Sequence, residues 1–391
     1  MSSSALDFDL MSPLPAIDLS EKHARAFVVV RYLGRPVGAA WLPAADIRDG
    51  GESLRETLAE AGGRALRLAR LEDRIGWRPV SPLDRPASPA TVGVCTRDRP
   101  EDLRRCLEAL RRMPDDGQEV LVVDSASSSD EVERVAKSVP GVRYLREERP
   151  GLDRARNRVL REARRPIVAF TDDDAAPEPL WLRALARNFE DRLVLAATGL
   201  VLPLDLATDA QEWRERLSSF ARGFERKIFE AARMSPAAAG HVGAGVSMAL
   251  RKDAADRVGP FDEALDAGTR TRSGGDTEMF ARILAAGYRI VYDPEAVSRH
   301  RHAPGWDEAR ATFFGYGVGA YAAWTRLLLF EHETTVLGHA AAWFFKHQLP
   351  ALVRSLLRVP GSAPADLLWA ELRGCAAGPF AYFRARAENG R

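Results

Sequence analysis

The sequence predicts an α/β protein: a Rossmann-like sheet flanked by helices, with a small α+β extension before it and a helical region after it. Three observations carry this. From Thr91 onward, short β-rich runs alternate with amphipathic helical stretches, the pattern of a sheet layered between helices. Before that point the alternation is missing, and four prolines crowd the stretch from Pro79 to Pro89 as in a linker. Beyond His302 the chain turns apolar, aromatic and helical in spacing. The 391 residues therefore divide into an extension with its linker (1–89), a larger α/β domain (90–302) and a helical C-terminal region (303–391).

Taken in order, residues 1–24 are Ser-rich and polar and read as a loose tail. Phe27–Tyr32 and Val37–Trp41 flank a Gly34-Arg35-Pro36 turn and predict a β-hairpin. Ser53–Leu71 places Leu54, Leu58, Ala61, Leu66 and Leu68 at helical spacing, with a break near Gly62-Gly63. Thr91–Cys95, Glu119–Asp124, Val142–Leu145 and Ile167–Phe170 are expected strands. Helices over Pro100–Met113, Leu152–Ala163 and Pro177–Phe189 alternate with them, and Asp130 is placed to cap a further helix. Strands over Leu193–Leu202 and Val242–Leu250 are separated by a charged helix from Ala210 to Glu230. A helix over Asp276–Ala286 and a strand over Tyr288–Tyr292 lead to a charged loop end at Ser298–His302.

Composition narrows the function. A net charge of +1 gives no bulk attraction to nucleic acid, so none is expected as a partner. The three cysteines (Cys95, Cys106, Cys375) match no zinc spacing and suit buried positions in a reducing compartment. The N-terminal residues lack a basic segment followed by an apolar run, and Arg326 interrupts the stretch Thr312–Phe330, which is therefore a poor membrane span. The expectation is a cytoplasmic protein, with peripheral membrane contact through 311–360 as one use of its aromatic and basic residues. Helices packing on the catalytic domain or in a homodimer are the other.

The chemistry gathers at strand ends, where ligands bind in open α/β sheets. Asp172-Asp173-Asp174 follows an apolar strand; three adjacent carboxylates are tolerable if solvated, or if a cation neutralises them. Asp172 and Asp174 alternate in an extended segment and so can face one way, a donor set suited to Mg²⁺ or Mn²⁺. The bland reading is a solvated turn or a helix cap. Asp124, ahead of Ser125-Ala126-Ser127, can accept hydrogen bonds from a base or ribose, or cap a helix. Thr96 and Arg97 follow the first strand and offer a hydroxyl and a planar fork to a nucleotide, or form a surface ion-pair loop. Arg154 and Arg156 open a helix after Pro150-Gly151, where an anion is favoured, or lie on a solvated face. Asp276 follows Gly274-Gly275 and can serve as a general base, as a helix cap, or both. His300 and His302 are candidates for a metal or a diphosphate, although surface histidines are usually inert.

The order of these segments adds information. TVGVCTRDRPEDLRRCLEAL, EVLVVDSASSSD, GLDRARNRVL, IVAFTDDDAAPEPLWL and GGDTEMFARILAAGYRIVYDPEAVSRHRH follow one another over roughly residues 90–302. In that order they resemble the family 2 glycosyltransferases, whose fold is the GT-A type, a Rossmann-like mixed sheet binding a nucleotide sugar. The resemblance implies that Thr96 and Asp124 grip base and ribose, with Arg97 and Arg154 or Arg156 nearby. It implies that Asp172 touches ribose or sugar beside Asp173, and that Asp174 chelates Mg²⁺ or Mn²⁺ on the diphosphate, with His300 a further candidate ligand. Asp276 matches the second acid of the family's Glu-Asp pair and becomes the candidate base of an inverting transfer from a nucleotide-diphosphate sugar, uridine being the commonest expectation, to a glycan, lipid-linked or small-molecule hydroxyl. Two departures stand out: Gly275 occupies the place of the first acid, leaving Glu278 as a lesser alternative base, and Ser125-Ala126-Ser127 replaces Asn-Gly-Ser. A dinucleotide oxidoreductase is excluded by Cys95-Thr96-Arg97-Asp98 where a glycine-rich turn is needed. A sugar nucleotidyltransferase lacks its Gly-rich first loop here. A catalytically silent glycan-binding or scaffold protein has no need of Asp276.

Overall fold

A computed structural model describes residues 2–13, 23–77, 86 and 89–389. The extension holds β1 (Ser2–Asp9), β2 (His23–Tyr32), β3 (Arg35–Pro43), α1 (Ala44–Asp49) and α2 (Gly51–Arg74). The expected hairpin is β2–β3, and α2 bends at Gly63, whose φ is 48°. The expected tail is different: Ser2–Asp9 pairs in parallel with β2, burying Phe8. A strand whose partner lies some twenty residues away leaves no local signal. Most of the proline linker lies outside the described residues.

The central domain follows with β4 (Ala90–Thr96), α3 (Pro100–Leu110), β5 (Glu119–Ser125), α4 (Glu131–Ser138), β6 (Val142–Glu147), α5 (Leu152–Glu162) and β7 (Ile167–Asp172). These strands run parallel, joined by helical crossovers. Asp130 precedes α4 but does not cap it; its carboxylate pairs with Arg134 instead. Then come β8 (Ala175–Pro177), α6 (Trp181–Ala186), β9 (Val194–Pro203), α7 (Asp209–Ser218), β10 (Lys227–Phe229), β11 (Ser247–Arg251), α8 (Ala254–Val258), α9 (Gly275–Ala285) and β12 (Arg289–His300). The sheet order is β10-β12-β9-β11-β7-β4-β5-β6, with β8 on β12, and β11 runs antiparallel to both neighbours, so the sheet is mixed. Two apolar clusters fill its faces, one around Phe170, Phe261 and Phe280, the other around Leu107, Trp181 and Leu185.

Several expected elements change their extent. Pro177 closes a strand, and the helix after it begins only at Trp181. The charged helix expected over 210–230 is the shorter α7, opened by a capping box between Thr208 and Gln211; beyond Ser218 the chain loops and returns as β10 against β12. The strand expected from Val242 starts at Ser247, after a turn in which the Ser247 amide bonds to the Ala244 carbonyl and Gly243 lies against Thr198. Ser298–His300 is no loop but the end of β12.

The C-terminal region holds α10 (Trp306–Phe330), α11 (Thr335–Trp343), α12 (Leu349–Leu356) and α13 (Ala365–Asn389), with a π turn over Phe344–Gln348 between α11 and α12. α10 and α13 meet backbone to backbone: a Cβ on Gly317 would strike Glu371, and one on Gly374 would strike Phe314. On its other side α10 presses on the turn before α9, with Gly274 against the backbone of Gly319. The extension docks on β9 and β12 through Phe27 and Val29 against Leu200, Leu202, Tyr292 and Val297, flanked by Arg31 bonded to Asp7 and Glu178.

Candidate functional site

Strand register builds the site. Cys95 on β4 is level with Asp172 on β7, and Thr96 is level with Asp124 on β5, so the carboxyl ends of three strands stand side by side. A cleft of about 310 Å³ opens over them, lined by Thr96, Arg97, Arg99, Ser125, Gly151 and Asp172–Asp174. A larger chamber of about 530 Å³ lies beyond it, and Asp172, Leu152 and Ala267 line both.

The Asp triplet is held rather than solvated. Thr96 Oγ1 donates to Asp173 Oδ2 at 2.7 Å, and Arg99 Nη1 reaches Asp173 Oδ1 at 3.2 Å and Asp174 Oδ2 at 3.1 Å. The strand pairing of β8 with β12, extended by the Arg301 amide donating to the Asp174 carbonyl, brings His300 Nε2 to 3.2 Å from Asp174 Oδ1. Burial pushes Asp172 up to about 6, helped by repulsion from Asp174 and opposed by Arg156 and His300. Burial and Asp174 push Asp173 up to about 7, against Arg99 and Thr96. Burial also acts to raise Asp174, but the charge and hydrogen bond of His300, with Arg99, hold it below the usual carboxylate range.

This donor set fits a divalent cation. Ligand atoms of Asp172, Asp174 and His300 all lie within 4.8 Å of one another. His300 Nδ1 is buried without a hydrogen-bond partner, a nitrogen free to ligate. Two carboxylates and an imidazole suit Mg²⁺ or Mn²⁺. His302 turns elsewhere, its ring between Arg214 Nη1 (2.7 Å) and Glu215 Oε2 (3.0 Å). Burial lowers its pKa to about 4 despite Glu215, so the neutral ring accepts from Arg214 and donates to Glu215.

Asp276 stands on the chamber wall in the first turn of α9. Its Oδ2 accepts the Gly245 amide at 2.6 Å and its Oδ1 the Thr277 amide at 2.6 Å, which fix the carboxylate's orientation. Gly275 is explained by Asp153: a Cβ at 275 would overlap the Asp153 carboxylate, which reaches from α5 into that space. Arg156 Nη1 bridges Asp153 Oδ1 (2.9 Å) and Asp266 Oδ2 (2.7 Å). Burial and repulsion by Asp266 push the Asp153 pKa well up, against the attraction of Arg156.

The other expected site residues divide. Arg97 borders the cleft but is half exposed and makes only a 3.6 Å contact with Asp98; Arg99 is the arginine that reaches the triplet. Asp124 is fully buried and occupied by the Ser127 amide, Tyr144 Oη and Arg146, holding the turn rather than lining the cleft. Arg154 points to Asn389 and Glu263, and Arg156 faces the chamber, not the cleft. Glu278 is buried against Arg282 and Arg326, away from a base's role. Arg99, Arg214, Asp153 and Asp266 escaped the sequence reading because only tertiary register brings them together; the Thr96–Arg99 run was the one signal present.

Residues 91–259 match the family described as Glycosyl transferase family 2. This segment, a little under half of the chain, is similar to the family 2 glycosyltransferases. The matched segment includes the Asp triplet and ends before Asp276 and His300. Among relatives, the pre-mycofactocin glycosyltransferase of Mycobacterium tuberculosis is 28% identical over 231 residues, covering 58% of this chain and 46% of that protein. The putative glycosyltransferase EpsH of Bacillus subtilis is 28% identical over 157 residues, covering 34% of this chain and 46% of that protein. The chain thus spans about half the length of the curated relatives it matches. Among solved structures, the mannosyltransferase PcManGT from Pyrobaculum calidifontis, in complex with GDP-Man and Mn²⁺, is similar at 20% identity and a TM-score of 0.48, covering 82% of this chain and 97% of that one.

Proposed function

We propose that this protein transfers a sugar, with inversion, from a nucleotide-diphosphate sugar to an acceptor hydroxyl. The observation that carries the reading is that Asp276 faces a chamber sharing Asp172 with the cleft over the Asp triplet. The cleft takes the nucleotide, beside Thr96, Arg97 and Arg99, and the chamber takes the acceptor. Asp172, Asp174 and His300 would hold Mg²⁺ or Mn²⁺, which when bound would supply Lewis-acid stabilisation of charge on a leaving diphosphate. Thr96 and Arg99 keep Asp173 and Asp174 aligned. Asp276, oriented by two amides, accepts the proton of the acceptor hydroxyl; that oxygen bonds to the anomeric carbon as the bond to the diphosphate oxygen breaks, and nucleoside diphosphate leaves.

Calorimetry with UDP-, GDP- and dTDP-sugars, with and without Mn²⁺, tests the donor half. One nucleotide class is expected to bind, with affinity lost on chelation and in Asp174→Ala. Asp276→Asn is expected to keep donor binding while turnover falls about 10²–10⁴-fold. Equal loss of donor affinity in both variants, or no release of nucleoside diphosphate from any donor, contradicts the assignment. The second outcome is that of a silent glycan-binding protein.

A second proposal concerns the 311–360 segment. Its α10 share packs inward on α13, but Leu337, Phe345, Leu356 and Leu357 are exposed, and Lys346, Arg354 and Arg358 accompany them with no acid between Glu333 and Asp366. No helix among the described residues is long and apolar enough to cross a membrane. The apolar and basic face suits peripheral contact with an anionic bilayer, and a homodimer is the competing use of it. Phe345→Glu with Leu356→Glu is expected to abolish co-sedimentation with phosphatidylglycerol vesicles; a wild type that stays in the supernatant overturns this, and dimer loss in the variant assigns the face to self-association.

A further inference from the structure

We propose that the chamber beside Asp276 recognises a substrate group bearing a fixed negative charge, a phosphate or a carboxylate, and that Arg222 is the residue that reads it. This rests on the chamber's being the acceptor side of a sugar transfer. The charge belongs either to the acceptor or to the transferred sugar.

The argument begins with an uncompensated cation. Arg222 lies in the loop after α7 and lines the chamber together with Asp276. Its guanidinium bonds only to carbonyls: Nη1 to Ser219 (2.7 Å) and Ala221 (3.2 Å), and Nη2 to Gly240 (3.0 Å). Its Nε is buried with no partner, and among the described residues no carboxylate lies within ion-pair distance. Arg156, Arg187 and Arg282 differ, each lying against at least one carboxylate. The guanidinium is partly buried, and withdrawing it from water without a counter-charge is unfavourable: desolvation lowers its pKa, with Tyr292 and Asp276 opposing. Asp276, on the same chamber wall, forms no ion pair with it and accepts the Gly245 and Thr277 amides instead.

The side chain is also pre-positioned. The Arg222 amide donates to Tyr292 Oη at 3.2 Å, and that hydroxyl donates to the Gly223 carbonyl at 2.7 Å. Tyr292 is fully buried on β12, so the loop is anchored to the sheet that carries His300. Gly240, whose carbonyl holds the guanidinium, packs beside the side chain of Thr277, the neighbour of Asp276. A donor fixed so close to the base can place a charged substituent at a set distance from the reacting hydroxyl. Phe220, Tyr316, Trp324 and Trp343 supply flat apolar walls around it. A ring with one anionic substituent satisfies both features, since a guanidinium–anion pair is charge-assisted and directional.

The test is a ligand-observed NMR titration of the full chain with two matched pairs of probes: phenyl phosphate against phenol, and D-glucuronate against D-glucose. Mn²⁺, UDP and GDP are present in excess so that the donor cleft is filled. At least one anion is expected to bind about tenfold more tightly than its neutral partner. That preference is expected to vanish in Arg222→Gln and to survive in Arg272→Gln, an exposed arginine of the same wall. Preference for phenyl phosphate assigns the charge to the acceptor, and preference for glucuronate assigns it to the transferred sugar. Equal binding of charged and neutral probes, anion preference that survives Arg222→Gln, or displacement of the anion by the nucleotides overturns the proposal. Should Arg222→Gln unfold, Arg222→Lys keeps the charge without the fork, and is expected to retain a reduced anion preference; an undiminished one overturns the proposal. Nucleotide binding, read in the same samples, fails separately if the donor reading is wrong.

Discussion

Ala126 holds a left-handed backbone, φ 57°, in the turn that follows β5. A Cβ in that region costs roughly 1–2 kcal/mol relative to glycine's freedom, offset in part by glycine's greater unfolded entropy. Ala126→Gly is therefore expected to raise stability by about 0.5–1 kcal/mol in urea denaturation; an unchanged or lower midpoint contradicts the strain. Gly275 is the opposite case. Its missing side chain is space that the Asp153 carboxylate fills, so Gly275→Ala is expected to destabilise by about 1–3 kcal/mol through overpacking. Asp153→Ala should relieve part of that loss, and additive single-variant effects would show that the two residues are not coupled. At this scale the sequence indicates where candidate groups stand. Asp172 and Asp174 lie at a strand end beside His300, and Asp276 on the chamber wall after a glycine pair, positions that follow from local context. Arg97 was read as the nucleotide's partner although Arg99 reaches the triplet, since position within a loop says nothing about which side chain the loop turns inward.

Elements were legible where their partners are near in sequence. The β4–α3–β5 and α5–β7 units announce themselves through periodicity, because each crossover buries one face on the adjoining strands. The end of α7 did not, since charged residues continue past Ser218 and composition there still suits a helix. What ends it is tertiary: the chain leaves to pair β10 with β12 and to seat its loop on Tyr292. Tyr292→Phe removes that anchor. It is expected to cost about 0.5–1.5 kcal/mol for the loss of the hydrogen bonds to the part-buried Gly223 carbonyl and Arg222 amide, and to speed hydrogen exchange across residues 219–226. Unchanged exchange in that loop would mean that its order comes from elsewhere.

At the scale of the whole molecule the extension is part of the domain it precedes. Phe27 and Val29 cover Leu200, Leu202 and Tyr292, and each such side chain contributes about 1.5–3 kcal/mol when removed from water. A fragment spanning residues 89–389 is expected to aggregate or to melt well below the full chain; a soluble fragment of equal melting temperature would contradict that dependence. The sequence reading separated these residues as an appended module because a linker is visible in composition and a docking face is not. The C-terminal helices bear on the site in a further way. Backbone meets backbone between α10 and α13 at Gly317 and Gly374, and again between α10 and the turn ahead of Asp276 at Gly319 and Gly274, where the short Ser273 side chain is bonded to the Gly315 carbonyl. Side chains act as compliant padding by changing rotamer, and these contacts hold little of it. Helix pair and Asp276 are therefore expected to move together, so that a load applied to the outer surface of α13 reaches Asp276 as displacement rather than being taken up on the way.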